Sequence, residues 1–328
     1  MKKSRIYMIG ILAVVGVVFF SLIYIYSQQG KVEKNYDIIY IPKVVDKNND
    51  FWTSLIAGAN MAAEEYGSHL QVVAGENESD VAGQNELIDW AIKQKPDAIA
   101  VSPCSYTETL ESLKKVRASG ILLVLIDSVV KEPVEDITVA TDNEAAGEKL
   151  GKYGKDMLKK ESEVVIVGHV KGTSTAIERE AGIRKGLGDM EPCVKEVVFC
   201  GSEYGKAYEL TLNLIDKYPK LNMIFGLNEY SAVGAARAIR DSGLKGKIKM
   251  IGFDSSITEI QLMEEGVFSG IVIQKPFNMG YLGIEQTIKS LSGMEYEKSL
   301  DSGSKLITMD NLYTEENQKL LFPFVEAN

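Results

Sequence analysis

Histidine is almost missing from this 328-residue sequence, which has only His69 and His169, and cysteine stops at Cys104, Cys193 and Cys200. With so few imidazoles and thiols there is no HExxH helix, no Cys/His ligand cluster and no GxSxG nucleophile turn, which removes zinc chemistry and the hydrolase triads. Cys193 and Cys200 flank the strand-like run KEVVF, whose rise of about 3.3 Å per residue keeps them beyond disulfide reach, so the thiols are expected free and partly buried. Positive charge is also short: 36 Lys and Arg face 46 Asp and Glu, a net charge of −10. No basic cluster lies outside the first five residues, and such a surface opposes the phosphate backbone of nucleic acid. Calcium loops are lacking too. In VVDKNNDFWTSL, residues 44–55, Asp46, Asn48 and Asp50 stand at the first, third and fifth positions of an EF-hand, but Phe51 replaces the turn glycine and Ala57 the closing glutamate. GHVKGTST lacks the GK[ST] ending of a phosphate loop, and GIRKGLG lacks the spacing of a dinucleotide turn. No catalytic residue, metal or cofactor is expected.

What is present begins with IYMIGILAVVGVVFFSLIYIY, residues 6–26, an uncharged run preceded by Lys2, Lys3 and Arg5. As a helix it would span about 31 Å, the thickness of a bilayer core, and it exceeds the roughly 7–15 apolar residues of a cleaved signal. The expectation is one transmembrane helix with the first residues cytoplasmic and everything after about residue 28 outside, a long cleaved signal being the other reading. Asn77-Glu78-Ser79 has the form of a glycosylation sequon and reads as a surface loop.

The remainder, in a chain that is 45% apolar and 25% charged, has the composition of a globular protein, and its length suggests two domains. After a polar tether, apolar strand-like runs alternate with helical patterns: DIIYIP, LQVVAG, DAIAVS and ILLVLID, then EVVIVGH, CVKEVVF, NMIFGL, IKMIGFD and FSGIVIQ. Such alternation gives parallel sheets covered on both faces. The fold class is therefore α/β, with two doubly wound parallel-sheet lobes. Ligands of such sheets sit beyond the carboxyl ends of the strands, where Ser102, Asp127, Asn228, Asp254 and Gln274 collect.

The stretches NDFWTSLIAGA, VLIDS, TDNEAAGEKLG, GTSTAIEREAG, FGLNEYSAVGA, IGFDSS and IVIQKPFNMG, in this order and spacing, resemble the type I periplasmic sugar-binding proteins of the ribose and galactose kind, from about residue 37 to 300. The resemblance implies a hinge of several strands between the lobes. The apolar run sets the first division at 1–27 for the cytoplasmic stub and anchor and 28–36 for the tether. The N-terminal lobe is then 37–141 plus 275–303, and the C-terminal lobe 142–274 plus 304–328. The resemblance further implies that sugar contacts fall on Asn49, Phe51, Trp52, Asp127, Arg179, Tyr204, Asn228, Asp254 and Gln274. Ser128 joins the site where the ribose branch carries a cation, which with Trp52 and Tyr204 in place of Phe argues against ribose itself. The chemistry agrees: Asp accepts hydroxyl protons in pairs, Arg donates through a rigid fork, amides do both, and aromatic rings cover C–H faces.

Each residue also has a structural reading: Trp52 as core packing, Asn228 and Asp254 as helix caps, Arg179 as a solvated charge. The anchor and pocket resemble in particular the membrane-anchored xylose-binding proteins that act with a sensor histidine kinase. The expected function is an extracellular, membrane-tethered receptor for a monosaccharide such as a pentose, reporting to such a kinase. The alternatives are delivery of sugar to an ABC permease, or reception of a furanose-like quorum signal. A repressor of the same fold would open on a helix-turn-helix, and an enzyme would need an acid–base pair, nominally Asp127 with Asp254.

Overall fold

The computed structural model describes residues 35–321. The expected anchor at 6–26, all of the tether before residue 35 and the final residues 322–328 lie outside the described residues. Among the described residues no helix is long and apolar enough to cross a membrane.

Two six-stranded sheets form the frame. The first contains β1 (Asp37–Ile41), β2 (His69–Val72), β3 (Ala98–Val101), β4 (Leu122–Ile126), β5 (Ile137–Ala140) and β11 (Ser299–Asp301), in the order β11-β5-β4-β3-β1-β2. The second contains β6 (Glu163–Gly168), β7 (Val194–Phe199), β8 (Leu221–Gly226), β9 (Lys249–Phe253), β10 (Phe268–Ile273) and β12 (Lys305–Ile307), in the order β12-β10-β9-β8-β6-β7. The two orders are identical position for position. The sheets differ at the edge: β11 runs parallel to β5, whereas β12 runs antiparallel to β10. The chain passes between the sheets after β5, after β10 and between β11 and β12.

Helices cover both faces, so the central strands are buried throughout, as in Ala98–Val101 and Leu123–Ile126. On the first sheet, α1 (Asp50–Glu65) and α9 (Pro276–Leu291) pack on one face, α2 (Val81–Gln94) and α3 (Leu110–Ala118) on the other. On the second, α4 (Asn143–Lys155) and α5 (Ser174–Leu187) oppose α6 (Tyr204–Lys217), α7 (Glu229–Asp241) and α8 (Ile257–Glu264). A short α10 (Glu315–Leu321) ends the described chain.

Glycines set two of these contacts. A Cβ on Gly280 of α9 would stand 1.9 Å from the carbonyl oxygen of Leu55 in α1, and one on Gly182 of α5 would stand 2.1 Å from that of Glu144 in α4. The backbones touch at both places, fixing the helices that carry Trp52 and Arg179. All three cysteines are free and buried. The short strands β5, β11 and β12 are absent from the sequence reading: β11 and β12 have three residues each, and β5, ITVA, lacks the unbroken apolar run that marks the buried strands.

Candidate ligand-binding site

Strands β4 and β9 hold the same place in their sheets, and each is followed at once by an aspartate in left-handed conformation, Asp127 at φ 71° and Asp254 at φ 81°. Each backbone N–H donates to the neighbouring strand, Asp127 to Val139 O at 2.9 Å and Asp254 to Val272 O at 3.0 Å. Both side chains line one cavity between the lobes.

The cavity gathers Asn49, Phe51, Trp52 and Asp127 from the first lobe, Arg179, Asn228 and Asp254 from the second, and Gln274 from the crossing after β10. Ser128 and Tyr204 stand outside this lining. Ser128 donates to Asp127 Oδ2 at 2.5 Å from behind. The Tyr204 hydroxyl is spent on Glu229 Oε1 at 2.6 Å, and the ring that faces the cavity is that of Tyr230, 4.7 Å away. Ser102, at the end of β3, instead pairs with the Tyr40 hydroxyl at 2.9 Å.

Local folding explains most positions. Asn49 caps α1, accepting from the Trp52 N–H at 3.0 Å, and this first turn carries Phe51 and Trp52 inward. Asn228 caps α7 in a capping box with Ser231, so its structural reading and its place in the cavity hold together. Asp254 is no cap: Ser256 caps α8, with Glu259 completing the box. Asp254 instead accepts from Gln274 Nε2 at 2.7 Å and from the Glu229 N–H at 2.9 Å. Arg179 is buried rather than solvated, donating to Asn143 Oδ1 at 2.8 Å and Leu227 O at 2.7 Å, with its guanidinium 4.2 Å above the Phe253 ring.

The structure adds residues that sequence reasoning passed over. Lys43, only 3% exposed, meets Asp127 Oδ2 at 2.8 Å. Glu78 lies in the stretch read as a surface loop. Its neighbours Asn77 and Ser79 are exposed as expected, but Glu78 turns inward, is 4% exposed and lines the cavity. His169 binds Thr175 Oγ1 through Nε2 at 2.9 Å, and burial together with the charges of Arg179 and Lys43 holds its pKa well below the usual range, so the ring is neutral. Two buried atoms of lining residues have no protein partner among the described residues, His169 Nδ1 and Gln274 Oε1. Each is a hydrogen-bonding position that a polar ligand could complete. Burial also raises the pKa of Asp254 and Glu78, opposed by Arg179 in the first case and Lys43 in the second.

The lobes meet around this cavity. The Tyr230 hydroxyl donates to Asp46 Oδ2 at 2.7 Å, and the Asp50 N–H to Glu229 Oε2 at 3.1 Å. The Ile257 N–H reaches back to Asp50 Oδ2 at 3.0 Å. The acids of the calcium-like stretch thus fasten one lobe to the other, and no group of three or more His, Cys, Asp or Glu among the described residues is placed to hold a metal.

Two like lobes that share one polar cavity at their strand ends define a two-lobed ligand-binding protein of the type I periplasmic-binding fold. Residues 38–295 match the family described as periplasmic binding protein domain, and the chain belongs to that family, one of binding proteins rather than enzymes. It is similar to the ribose import binding protein of Bacillus subtilis, 27% identical over 263 residues, covering 80% of this chain and 84% of the relative. Among solved structures, a sugar transporter from Clostridium phytofermentans is 45% identical with a TM-score of 0.80, covering 84% of this chain and all of the other. A carbohydrate transporter solute-binding protein from Agrobacterium radiobacter, in complex with D-arabinose, is 26% identical with a TM-score of 0.82, covering 88% and 99%.

Proposed function

We propose that the chain is an extracytoplasmic receptor for a neutral monosaccharide, held between its lobes by the cavity residues. The observation that carries this reading is the pair of equivalent aspartates, Asp127 and Asp254, facing one cavity with Asn49, Asn228 and Gln274 beside them. Carboxylates and amides suit the paired hydroxyls of a sugar ring, and Trp52 with Tyr230 offers aromatic faces to its C–H groups. Charge decides against acidic sugars and sugar phosphates. The walls carry two cations, Lys43 and Arg179, against Asp127, Asp254 and Glu78, so no net positive charge awaits an anion. The similarity to ribose-import and D-arabinose-bound proteins supports a pentose or small hexose, xylose among them.

The closed form is then read by a membrane partner, with the crossings after residues 141, 274 and 303 as hinge between lobes 37–141 plus 275–303 and 142–274 plus 304–328. The relatives' import and transport names support delivery to an ABC permease. The apolar run at 6–26, in place of a lipidated cysteine, supports a tethered sensor acting on a histidine kinase.

Calorimetric titration of the full chain in detergent with xylose, ribose, arabinose, glucose, galactose and fucose tests the reading. Saturable heat with one of them, lost in Asp254→Ala, is the expected result, and silence across the panel overturns it. The ligand so found then separates the partners: sugar uptake into permease vesicles, or sugar-dependent kinase phosphorylation.

A further inference from the structure

Glu78 is one of the cavity residues outside the set implied by the sugar-binding resemblance, and its contacts join both lobes. Its Oε1 accepts the indole N–H of Trp52 at 2.5 Å, within the first lobe. Its Oε2 accepts the hydroxyl of Ser202, which belongs to the second lobe between β7 and α6. Ser202 holds a left-handed backbone at φ 58°, directly after Gly201 at φ 65°. A non-glycine residue adopts that conformation only where its surroundings impose it. Here the turn is pinned from below, with the Cys200 N–H on Gly168 O at 2.9 Å and the Gly201 N–H on His169 O at 2.7 Å. The Ser202 hydroxyl is thereby presented across the cleft. On its other side Trp52 is 2% exposed, with the Lys43 ammonium 5.8 Å from its ring centroid.

A buried carboxylate must be partnered, and the two partners of Glu78 are unlike. The Trp52 bond lies within one lobe and survives any rotation of the lobes as rigid bodies. The Ser202 bond exists only when the cleft is shut. We propose that Glu78 is a positioning residue: it fixes the rotation of the Trp52 indole that stacks on the sugar and, through Ser202, makes that orientation part of lobe closure. This rests on the monosaccharide reading above and assigns to Glu78 a share of its affinity without direct ligand contact.

The test uses the full chain, with the indole N–H resonance of Trp52 distinguished from that of Trp90 by Trp90→Phe. In the ligand-free protein the Trp52 resonance is expected downfield, as for an indole bonded to a carboxylate. Glu78→Ala should move it upfield and weaken binding of the recognised sugar about 100-fold, while Glu78→Gln, which retains an acceptor, should restore most of both. Ser202→Ala should leave the ligand-free resonance in place, weaken binding about tenfold and speed dissociation. An unmoved Trp52 resonance in Glu78→Ala, in a variant whose thermal midpoint shows it folded, would overturn the assignment, as would unchanged affinity. If the wild-type chain binds no sugar of the panel, the receptor reading fails by itself, and the ligand-free resonance still decides whether Glu78 sets the indole.

Discussion

Asp127 and Asp254 occupy the same position in two sheets of the same strand order, with the same left-handed backbone, yet they are neutralised by different chemistry. Asp127 meets a lysine of its own lobe, Lys43, at 2.8 Å, and a hydroxyl from Ser128. Among the described residues Asp254 meets no lysine: its partners are the Gln274 amide and the Glu229 N–H, and Arg179 opposes its burial through its charge. The first wall is thus charge-balanced within one lobe. The second belongs to an acidic neighbourhood with Glu229 and Glu259, where burial and mutual repulsion push the Glu259 carboxyl far above its usual range. An arriving ligand finds one aspartate already satisfied by a cation and another that depends on neutral donors, so its own hydroxyl protons should matter most at Asp254.

Removing the neutralising partner on each side gives the largest contrast. Lys43→Met strands Asp127 as a buried unpaired charge, and urea unfolding should show a loss of about 3–5 kcal/mol, recovered in part by Asp127→Asn in the same chain. Gln274→Met removes one hydrogen bond to a charged group and should cost only about 1.5–3 kcal/mol. Equal losses would mean that the two aspartates are held alike. The glycine contacts come next. Gly280→Ala and Gly182→Ala each force a methyl against a backbone oxygen and should cost about 1–3 kcal/mol or more. They should differ in binding, since Gly182 lies on α5 with Arg179, whereas Gly280 acts through α1 and Trp52.

The frame and the aspartates were legible in the sequence for one reason: apolar strands end in polar residues, and the strand ends are where a doubly wound sheet binds. Asn228 was legible in the same way, although an N-cap looks alike whether or not a cavity lies beside it; Arg179 was legible only through the family pattern, because an arginine in a helix interior reads as solvated. Lys43 and Glu78 were hidden. A lysine two residues past a strand and a glutamate between Asn77 and Ser79 read as solvated, and they are buried by partners far along the chain, Asp127 and Ser202. Tyr230 was missed in favour of Tyr204 because only the packing of α6 against α7 decides which ring faces inward.

Acidity should distinguish the lobes further. Glu229 accepts from the Asp50 N–H, the Phe51 N–H and the Tyr204 hydroxyl, which favour its charge, but burial and the nearby Asp254 and Asp50 carboxylates outweigh them and push its pKa up to about 8 from 4.5. A raised pKa stabilises the closed form fully below the ordinary carboxylate range, and that contribution is lost as pH rises through about 8. The thermal midpoint should therefore fall from about pH 5 to about pH 8 and level off above it, and Glu229→Gln should flatten the fall. A wild-type midpoint that rises over this window would place the controlling proton elsewhere.

The smallest effect separates the two roles of Asn228. Its Oδ1 serves the α7 cap, accepting from the Ser231 N–H at 3.0 Å, which leaves its amide hydrogens to the cavity it lines. Serine caps a helix as well as asparagine, so Asn228→Ser should change stability by no more than about 0.5 kcal/mol. It should nevertheless weaken sugar binding about fivefold to tenfold, one hydrogen bond of about 1 kcal/mol. Asn228→Ala should lose both, with about 1 kcal/mol of stability gone as well. If serine and alanine prove equal in calorimetric affinity and in unfolding, the cap carries no separable stability. If serine binds like wild type, the amide faces the cavity without contributing, and the polar load of the second lobe falls on Asp254, Arg179 and His169.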